Sequence, residues 1–392
     1  MASLRNPHGQ LFDVGTRVGQ GIVDFHLAVS PHPAVDLALR NRAIGTVTED
    51  EEEAENILED AYLIYWFSPQ FLLEGGKDRV REGVGYAWNP VDLLRTRSSA
   101  GLSQDPKEQR DHRRGHYLIK GELRWGQGSV AVAYVPKFAG LDTDDVSNLA
   151  EQFWGRGTAL IAGTDVAVYL HHGPEWNAGT SLARVFGDAL ELHLEAVARW
   201  NSSRERPVIA RVRGRSGNTR VPLWRRQRTK NLLGEALLGA QYTFSNGINL
   251  IAEYFYNGDG LSAREWNILW DGLELARQRL QGGENSLPGK PNLFRIFGLR
   301  ANELLSPAES ARHYLFVRAA GATEMRRRLE LTGFLLLNLQ DRSGALNGEA
   351  RYQIGRDLES VLSLDLFFGP ERTEFGALPI GSAVRASLRY AF

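Results

Sequence analysis

Cysteine is missing from the 392-residue chain, and methionine occurs only twice. Without thiols there is no disulfide framework, no thiolate zinc site and no cysteine nucleophile. Long apolar runs are missing as well: no stretch of about 18 uninterrupted apolar residues occurs, so a transmembrane helix is excluded on length. Neither sign of charge is in excess, with 46 basic and 47 acidic side chains giving a net charge of −1. The basic footprint of a nucleic-acid binder is therefore absent, and no such partner is expected. A phosphate-cradling Gly-Lys-Ser/Thr loop, a His-Glu-x-x-His pair and a nucleophile elbow are also lacking. The chain reads as a non-enzyme without cofactor or metal; His171 and His172, adjacent on a strand, would point to opposite faces. The opening residues, Met1-Ala2-Ser3-Leu4-Arg5-Asn6-Pro7, carry no charged segment followed by an apolar core, so an export signal, if the protein is exported, is expected to have been removed.

The composition that remains is ordinary: 43% apolar and 24% charged residues, which excludes intrinsic disorder. Mean hydropathy is −0.31. The informative feature is alternation, because successive side chains of a strand point to opposite faces. From Leu190 the even positions are Leu190, Leu192, Leu194, Ala196, Ala198 and Trp200, whereas Glu191, His193, Glu195 and Arg199 fall on the odd ones. Helical spacing leaves this segment no apolar stripe. Ile119, Leu123 and Trp125 similarly oppose Lys120, Glu122 and Arg124. Near the C-terminus, Leu346, Ala350, Tyr352 and Ile354 oppose Asn347, Glu349, Arg351 and Gln353, and after Gly355-Arg356-Asp357 a second arm runs from Leu358 to Phe368.

In a soluble sheet the apolar parity is the core and the charged parity meets water. Two properties favour the inverse. The alternating runs are about 9 to 13 residues long, the length of a tilted bilayer span and longer than the usual strand. Tyr and Trp gather near their ends, at Tyr62, Tyr65 and Trp66, Trp125, Trp200, Tyr254 and Tyr256, and Tyr390, as an interfacial girdle requires. Short turns at 30–33, 68–69, 126–128, 163–165, 187–188, 245–247, 321–323 and 355–357 alternate with longer connections at 44–56, 83–114, 138–153, 202–231, 258–310 and 369–380, with lesser ones near 173–178 and 339–343. Asn246-Gly247 is a strong hairpin signal. The expected fold is all-β: one transmembrane antiparallel up-and-down barrel domain over residues 1–392, of roughly 16 to 18 strands, with short helices in its outer loops. Seventeen spans are countable from about Arg17. Bacterial barrels favour even numbers, so either residues 8–15 add a strand or one span is false; 155–162 and 178–186 are the weakest.

The closing segment Val384-Arg385-Ala386-Ser387-Leu388-Arg389-Tyr390-Ala391-Phe392 keeps Val384, Ala386, Leu388, Tyr390 and Phe392 on one parity. It resembles the terminal strand of bacterial outer-membrane β-barrels, where a final aromatic closes an alternating strand. That resemblance implies an outer-membrane location and recognition by the barrel assembly machinery through Tyr390 and Phe392. The stretch from Phe71 through Leu72-Leu73-Glu74-Gly75-Gly76-Lys77 to Trp88-Asn89-Pro90-Val91-Asp92 is similar to a strand and following loop of porin-like families.

If the apolar parity faces lipid, the charged parity lines the interior and needs water or partners. Expected pore-lining residues are Lys120, Glu122, Arg124, Glu191, His193, Glu195, Arg199, Glu253, Arg328, Glu330, Glu349, Arg351, Asp365, Arg385 and Arg389. Ser262-Ala263-Arg264-Glu265 matches a capping box, and Trp266, Leu269, Trp270 and Leu273 follow at helical spacing. This loop helix is expected to constrict the passage, to lie over its mouth, or only to pack on neighbours. The arginine-rich 202–231 loop could meet lipopolysaccharide or attract anionic solutes, while the acidic run Glu49 to Glu53 reads as a solvated loop without the glycine-turned geometry of a calcium site. The expected activity is passive passage of small hydrophilic or ionic solutes, with membrane lipid and lipopolysaccharide as surroundings. The alternatives are an export or scaffold barrel, for polysaccharide or as a sheath around a partner protein, and a lipid-modifying barrel enzyme.

Overall fold

A computed structural model describes residues 17–49, 52–96, 105–137, 150–200, 203–214, 217–228, 232–281, 292–304, 308–322 and 328–391. Residues 8–15, one of the two ways to an even strand number, and the terminal Phe392 lie outside the described residues. The chain divides into two compact units, one comprising 15–201 with 231–240, the other 1–14, 202–230 and 241–392.

The first unit is an antiparallel meander in which every strand pairs with the next. Its strands are β1 (Gly19–His32), β2 (Val35–Val47), β3 (Glu52–Trp66) and β4 (Phe71–Asp78), then, after helix α1 (Pro106–Asp111), β5 (His116–Trp125), β6 (Gly128–Val135), β7 (Gln152–Ile161), β8 (Thr164–His172), β9 (Trp176–Phe186) and β10 (Leu190–Trp200). The two weakest spans of the sequence reading are thus the real strands β7 and β9. Between β7 and β8 the turn is made by Ala162 at φ 49° and Gly163 at φ 77°, the two positive values that match a hairpin to the twist of its strands.

The second unit opens with a hairpin of β11 (Ser203–Gly214) and β12 (Gly217–Arg228), which pair only with each other. This corrects the expectation of a plain loop at 202–231: an arginine-rich stretch with Val208, Ile209, Val221 and Leu223 between its charges still alternates. The strand β13 (Leu233–Thr243) comes next in the chain and belongs to the first unit up to Ala240; the second unit resumes with β14 (Asn249–Asn257), helices α2 (Ala263–Gln281) and α3 (Leu293–Leu304), and the strands β15 (His313–Ala322), β16 (Leu329–Asn338), β17 (Ser343–Gln353), β18 (Leu358–Phe368) and β19 (Ser382–Tyr390). From β14 to β19 each strand again pairs antiparallel with its successor. Nineteen strands less the two of the hairpin leave seventeen among the described residues, the number counted from the sequence. The 44–56 connection shrinks, since β2 runs to Val47 and β3 starts at Glu52.

In both units the usual rule of burial is inverted. Along β10, Leu192, Leu194 and Trp200 are exposed, while His193, Glu195 and Val197 are buried. On β5 the exposures of Ile119 and Leu123 are 57% and 50%, against 8% for Glu122. The same holds on β18, where Leu362, Leu364 and Leu366 are exposed and Ser363 and Asp365 buried. Apolar side chains in such number on one parity of long strands would be a severe liability in water. Tyr65, Trp125, Trp200, Tyr254 and Tyr390 belong to this exposed set. Trp66 does not: its Nε1 donates to Asp36 at 2.8 Å and the Arg124 guanidinium stands over its ring, which places it among the charges.

Candidate functional site

The charged parity of the first unit is covered by one long connection. Between β4 and β5, the described residues 79–96 and 105–115 fold back across the strands so that Val91 and Leu94 join Leu118, Ala131, Ala133, Val135, Trp154, Ala167, Tyr169 and Val197 in one buried cluster. The strands make room because their side chains on this face are small at Ser129, Ala131 and Ala133 of β6, Ala167 of β8 and Gly179 and Ser181 of β9. At Gly179 an added Cβ would come within 2.9 Å of Val197 and 3.2 Å of Val91, so glycine there is what admits the loop. Burial of Trp88, Val91 and Leu94 stabilises the insertion by roughly 1.5–3 kcal/mol per side chain.

Polarity fixes the loop in register. Glu195, fully buried on β10, accepts hydrogen bonds from the backbone N–H groups of Val84 at 2.6 Å, Gly85 at 2.9 Å and Val91 at 3.3 Å, and from Asn89 Nδ2 at 3.4 Å. A carboxylate surrounded by three main-chain donors compensates both its own burial and theirs. The loop is braced from within: Asn89 Nδ2 donates to the Gly85 carbonyl at 2.8 Å, and Arg110 Nη1 donates to Gly85 O at 2.7 Å and Asn89 Oδ1 at 2.8 Å. Asp92 is buried against Arg113, and burial pushes its carboxyl upward despite that partner. Short helix α1 is started by Asp105, whose side chain accepts from Lys107 N at 2.7 Å, with Pro106 at the first helical position.

Where the loop leaves β4 it meets two adjacent acids. The β2–β3 pairing shifts between Arg40/Asp60 and Asn41/Leu58, so Glu59 is the extra residue of a β-bulge. Parity changes there, and both Glu59 and Asp60 turn to the buried side. Arg79 grips Asp60 with two bonds, of 2.7 and 2.5 Å, and reaches Glu59 at 3.4 Å; Arg40, Arg42 and His112 also surround Glu59, at 3.8, 3.9 and 3.2 Å. Further along, Lys120 bridges Glu74 at 2.7 Å, its direct cross-strand neighbour, and Asp78 at 3.1 Å. Glu122 takes Arg124 at 2.8 Å and Arg156 at 3.5 Å, and Arg156 also pairs with Glu82 of the loop at 2.9 Å. Burial raises the Glu82 carboxyl to about 7, against the pull of Arg156.

Of the residues expected to line a passage, those of the first unit therefore fall into different settings. Lys120, Glu122 and Arg124 belong to the ion-pair chain just described. Glu195 holds the loop, a role alternation alone could not reveal. His193 is buried with Nδ1 3.4 Å from Glu191, and Arg199 pairs with Glu235 of β13 at 2.9 Å. In the second unit Glu253 is buried, Asp365 bonds Arg385 at 2.5 Å and Asn347 at 2.7 Å, and Glu349 bonds Arg351 at 2.5 Å. Arg328, Glu330 and Arg389 are exposed, Arg328 preceding β16 rather than lying on it. His171 bonds Gln152 and Asn177, both at 2.9 Å, while His172 stacks on Trp176, so the two rings diverge as expected.

The capping box forms: Ser262 N donates to Glu265 Oε2 at 2.7 Å and Glu265 N to Ser262 Oγ at 3.4 Å. Its helix α2 buries Trp266, Leu269, Trp270 and Leu273. These face neighbours of their own unit, namely α3 and the β11–β12 hairpin. Phe297 of α3 stacks on Trp224 at 5.4 Å and closes on Gly272, where an added Cβ would stand 2.9 Å from its ring. The connection laid on the charged face is the one the sequence marks as long at 83–114, in its described residues 79–96 and 105–115; the sequence does not assign it to that face. Its one signal was the apolar content, Trp88, Val91, Leu93 and Leu94, inside an otherwise polar loop.

Among solved structures the chain is similar to a Salmonella typhi OmpF complex with daunomycin, at 11% identity over 89% of this chain and 90% of that one, with a TM-score of 0.47. It is also similar to OccK11 of Pseudomonas aeruginosa, at 11% identity over 95% and 89% with a TM-score of 0.49, and to the outer membrane protein OprD of the same organism, at 8% over 95% and 87% with 0.48. No family model and no curated protein matches. At such identities and superposition scores these likenesses assign neither family nor solute to the chain.

Proposed function

We propose that this protein is a bacterial outer-membrane channel of porin type, a barrel through which small hydrophilic or ionic solutes pass without a cofactor. The observation that carries the reading is the inverted burial: one parity of the long strands exposes leucine, valine and aromatic side chains, and the other encloses paired acids and bases. Hydrocarbon is the solvent that suits the first face, and backbone groups of closed antiparallel strands need no water. The 79–115 loop then narrows the passage while its ion pairs supply a polar wall of both signs. Tyr390 and Phe392 serve as the assembly signal, and lipid with lipopolysaccharide surrounds the exposed face.

Reconstitution of the purified protein in planar bilayers tests this. Stepwise currents are expected, and replacing Arg385 together with Arg389 by Glu should move the reversal potential toward cation preference. Silent bilayers from folded protein would reject the channel and leave a sheath or export scaffold. A chain that stays folded and dispersed without detergent would reject the membrane assignment itself.

A further inference from the structure

A cavity of about 450 Å³ opens between the start of the inserted loop and the short-turn ends of β5 to β9. Its polar wall is made by Arg81 and Glu82 from the loop, Thr158 of β7, Asp165 and Tyr169 of β8 and Ser181 of β9. The space exists because the strand face beside Arg81 to Val84 carries small side chains, Ala159, Ala167 and Ser181 among them. Size alone fits a solute of monosaccharide dimensions.

The charges decide which solute. Arg81 is engaged by Asp111 at 3.0 Å, and Glu82 by Arg156 at 2.9 Å. Asp165, exposed at the cavity wall, has no cation against it among the described residues. The remaining polar lining is Gln127 and three hydroxyls: Thr158 Oγ1 accepts from Ser129 N at 3.1 Å and lies 2.9 Å from Ser129 Oγ, and Tyr169 OH lies 3.2 Å from Ser181 Oγ. The cavity thus offers one uncommitted carboxylate beside acceptor hydroxyls, with its neighbouring guanidinium groups already spoken for. We infer that it is a solute subsite for a small hydroxylated molecule bearing an ammonium group, the ammonium on Asp165 and the hydroxyls toward Thr158 and Ser181. A carboxylate solute would find no free cation.

This inference rests on the channel reading for its purpose, but its test does not require conduction. Calorimetric titration of the detergent-purified full chain with glucosamine at neutral pH should give saturable binding. Glucose, with a hydroxyl in place of the ammonium, and N-acetylglucosamine, with an acetamide there, are uncharged and should bind at least about tenfold more weakly, the usual margin of one charge-assisted hydrogen bond. Asp165→Asn should remove that margin; because Asp165 is exposed at a strand start, the variant is expected to fold, which its strand content by circular dichroism checks. Thr158→Val should weaken glucosamine and glucose alike. Equal binding of all three sugars, saturable binding that survives Asp165→Asn, or no saturable heat from correctly folded protein would each overturn the subsite. Bilayer currents from the same preparation judge the channel separately.

Discussion

The two long connections of this chain solve one problem in opposite ways. The described residues of the 79–115 connection lie on a wall of strands, into which they bury Trp88, Val91 and Leu94 and where Glu195 collects their main-chain donors. The 258–312 region instead builds a private core from α2, α3 and the β11–β12 hairpin, in which Trp266 and Trp270 stack at 5.3 Å and Trp224 meets Phe297. One sets its register by polarity borrowed from a strand, beside a few apolar anchors; the other is held by apolar packing that it brings along. The first kind of attachment is specific in register and can be released by one side chain. The second degrades gradually as its contacts are trimmed.

The sharpest way to break the comparison is Glu195→Leu. Three buried N–H groups would lose their acceptor at once, a cost of several kcal/mol at about 1–3 kcal/mol each, and the loop should leave the wall. Limited proteolysis inside 79–115 and a larger unitary conductance are the expected readouts, with the second unit unchanged. Next in size, Trp270→Ala in α2 should cost about 3–5 kcal/mol of local stability, read as faster amide exchange over α2 and α3 with unaltered conductance. If Trp270→Ala opened the first loop as well, the two attachments would not be independent.

A third test uses pH. The second unit also contains a polar clasp, in which the fully buried Glu374 of the 369–381 connection accepts from Tyr314 OH at 2.9 Å, Asn338 Nδ2 at 2.8 Å and Ala308 N at 3.1 Å. Burial holds its carboxyl up to about 8. Because the folded value lies above the ordinary one, the stabilisation is complete in acid and is lost as pH rises through about 8. Exchange protection around 308–310 and 369–381 should fall across that range, and Glu374→Gln should flatten the dependence. Smallest of all, Arg300→Ala removes a partly exposed pair with Glu205, whose bonds are 3.1 and 3.2 Å. At most about 1 kcal/mol is expected, seen as a minor shift in the α3 unfolding midpoint.

Period-2 alternation made the strands legible because each of them answers to two different environments at every step. Leu190 to Trp200 could be placed residue by residue, and so could the turn at Asn246-Gly247, where Gly247 has φ 82°. The capping box located α2 for an equally local reason. What escaped depended on partners far along the chain. Glu195 is one more acid on an inward parity until Val84, Gly85 and Val91, over a hundred positions earlier, are brought to it. The β11–β12 hairpin was hidden by its arginines, several of which turn out to be satisfied: Arg206 bonds Asp259 at 2.7 Å, and Arg204 bonds the Asp259 carbonyl at 2.7 Å. Arg156 and Glu82 likewise become informative only as a pair.

The single extra residue at Glu59 works as a frame correction. Upstream of it Ile57 is buried; downstream the exposed set is Leu63 and Tyr65, so the two halves of β3 are written in different phases. Excising Glu59 would join Leu58 to Asp60 in one unbroken alternation opposite Asn41 and Arg40, with Asp60 still inward and Leu63 and Tyr65 still outward; removing or adding one residue elsewhere in β3 would instead send every side chain beyond it to the wrong solvent. Length changes in this strand are therefore admissible at one position alone, and a chain that lacks the insertion can keep the same downstream pattern.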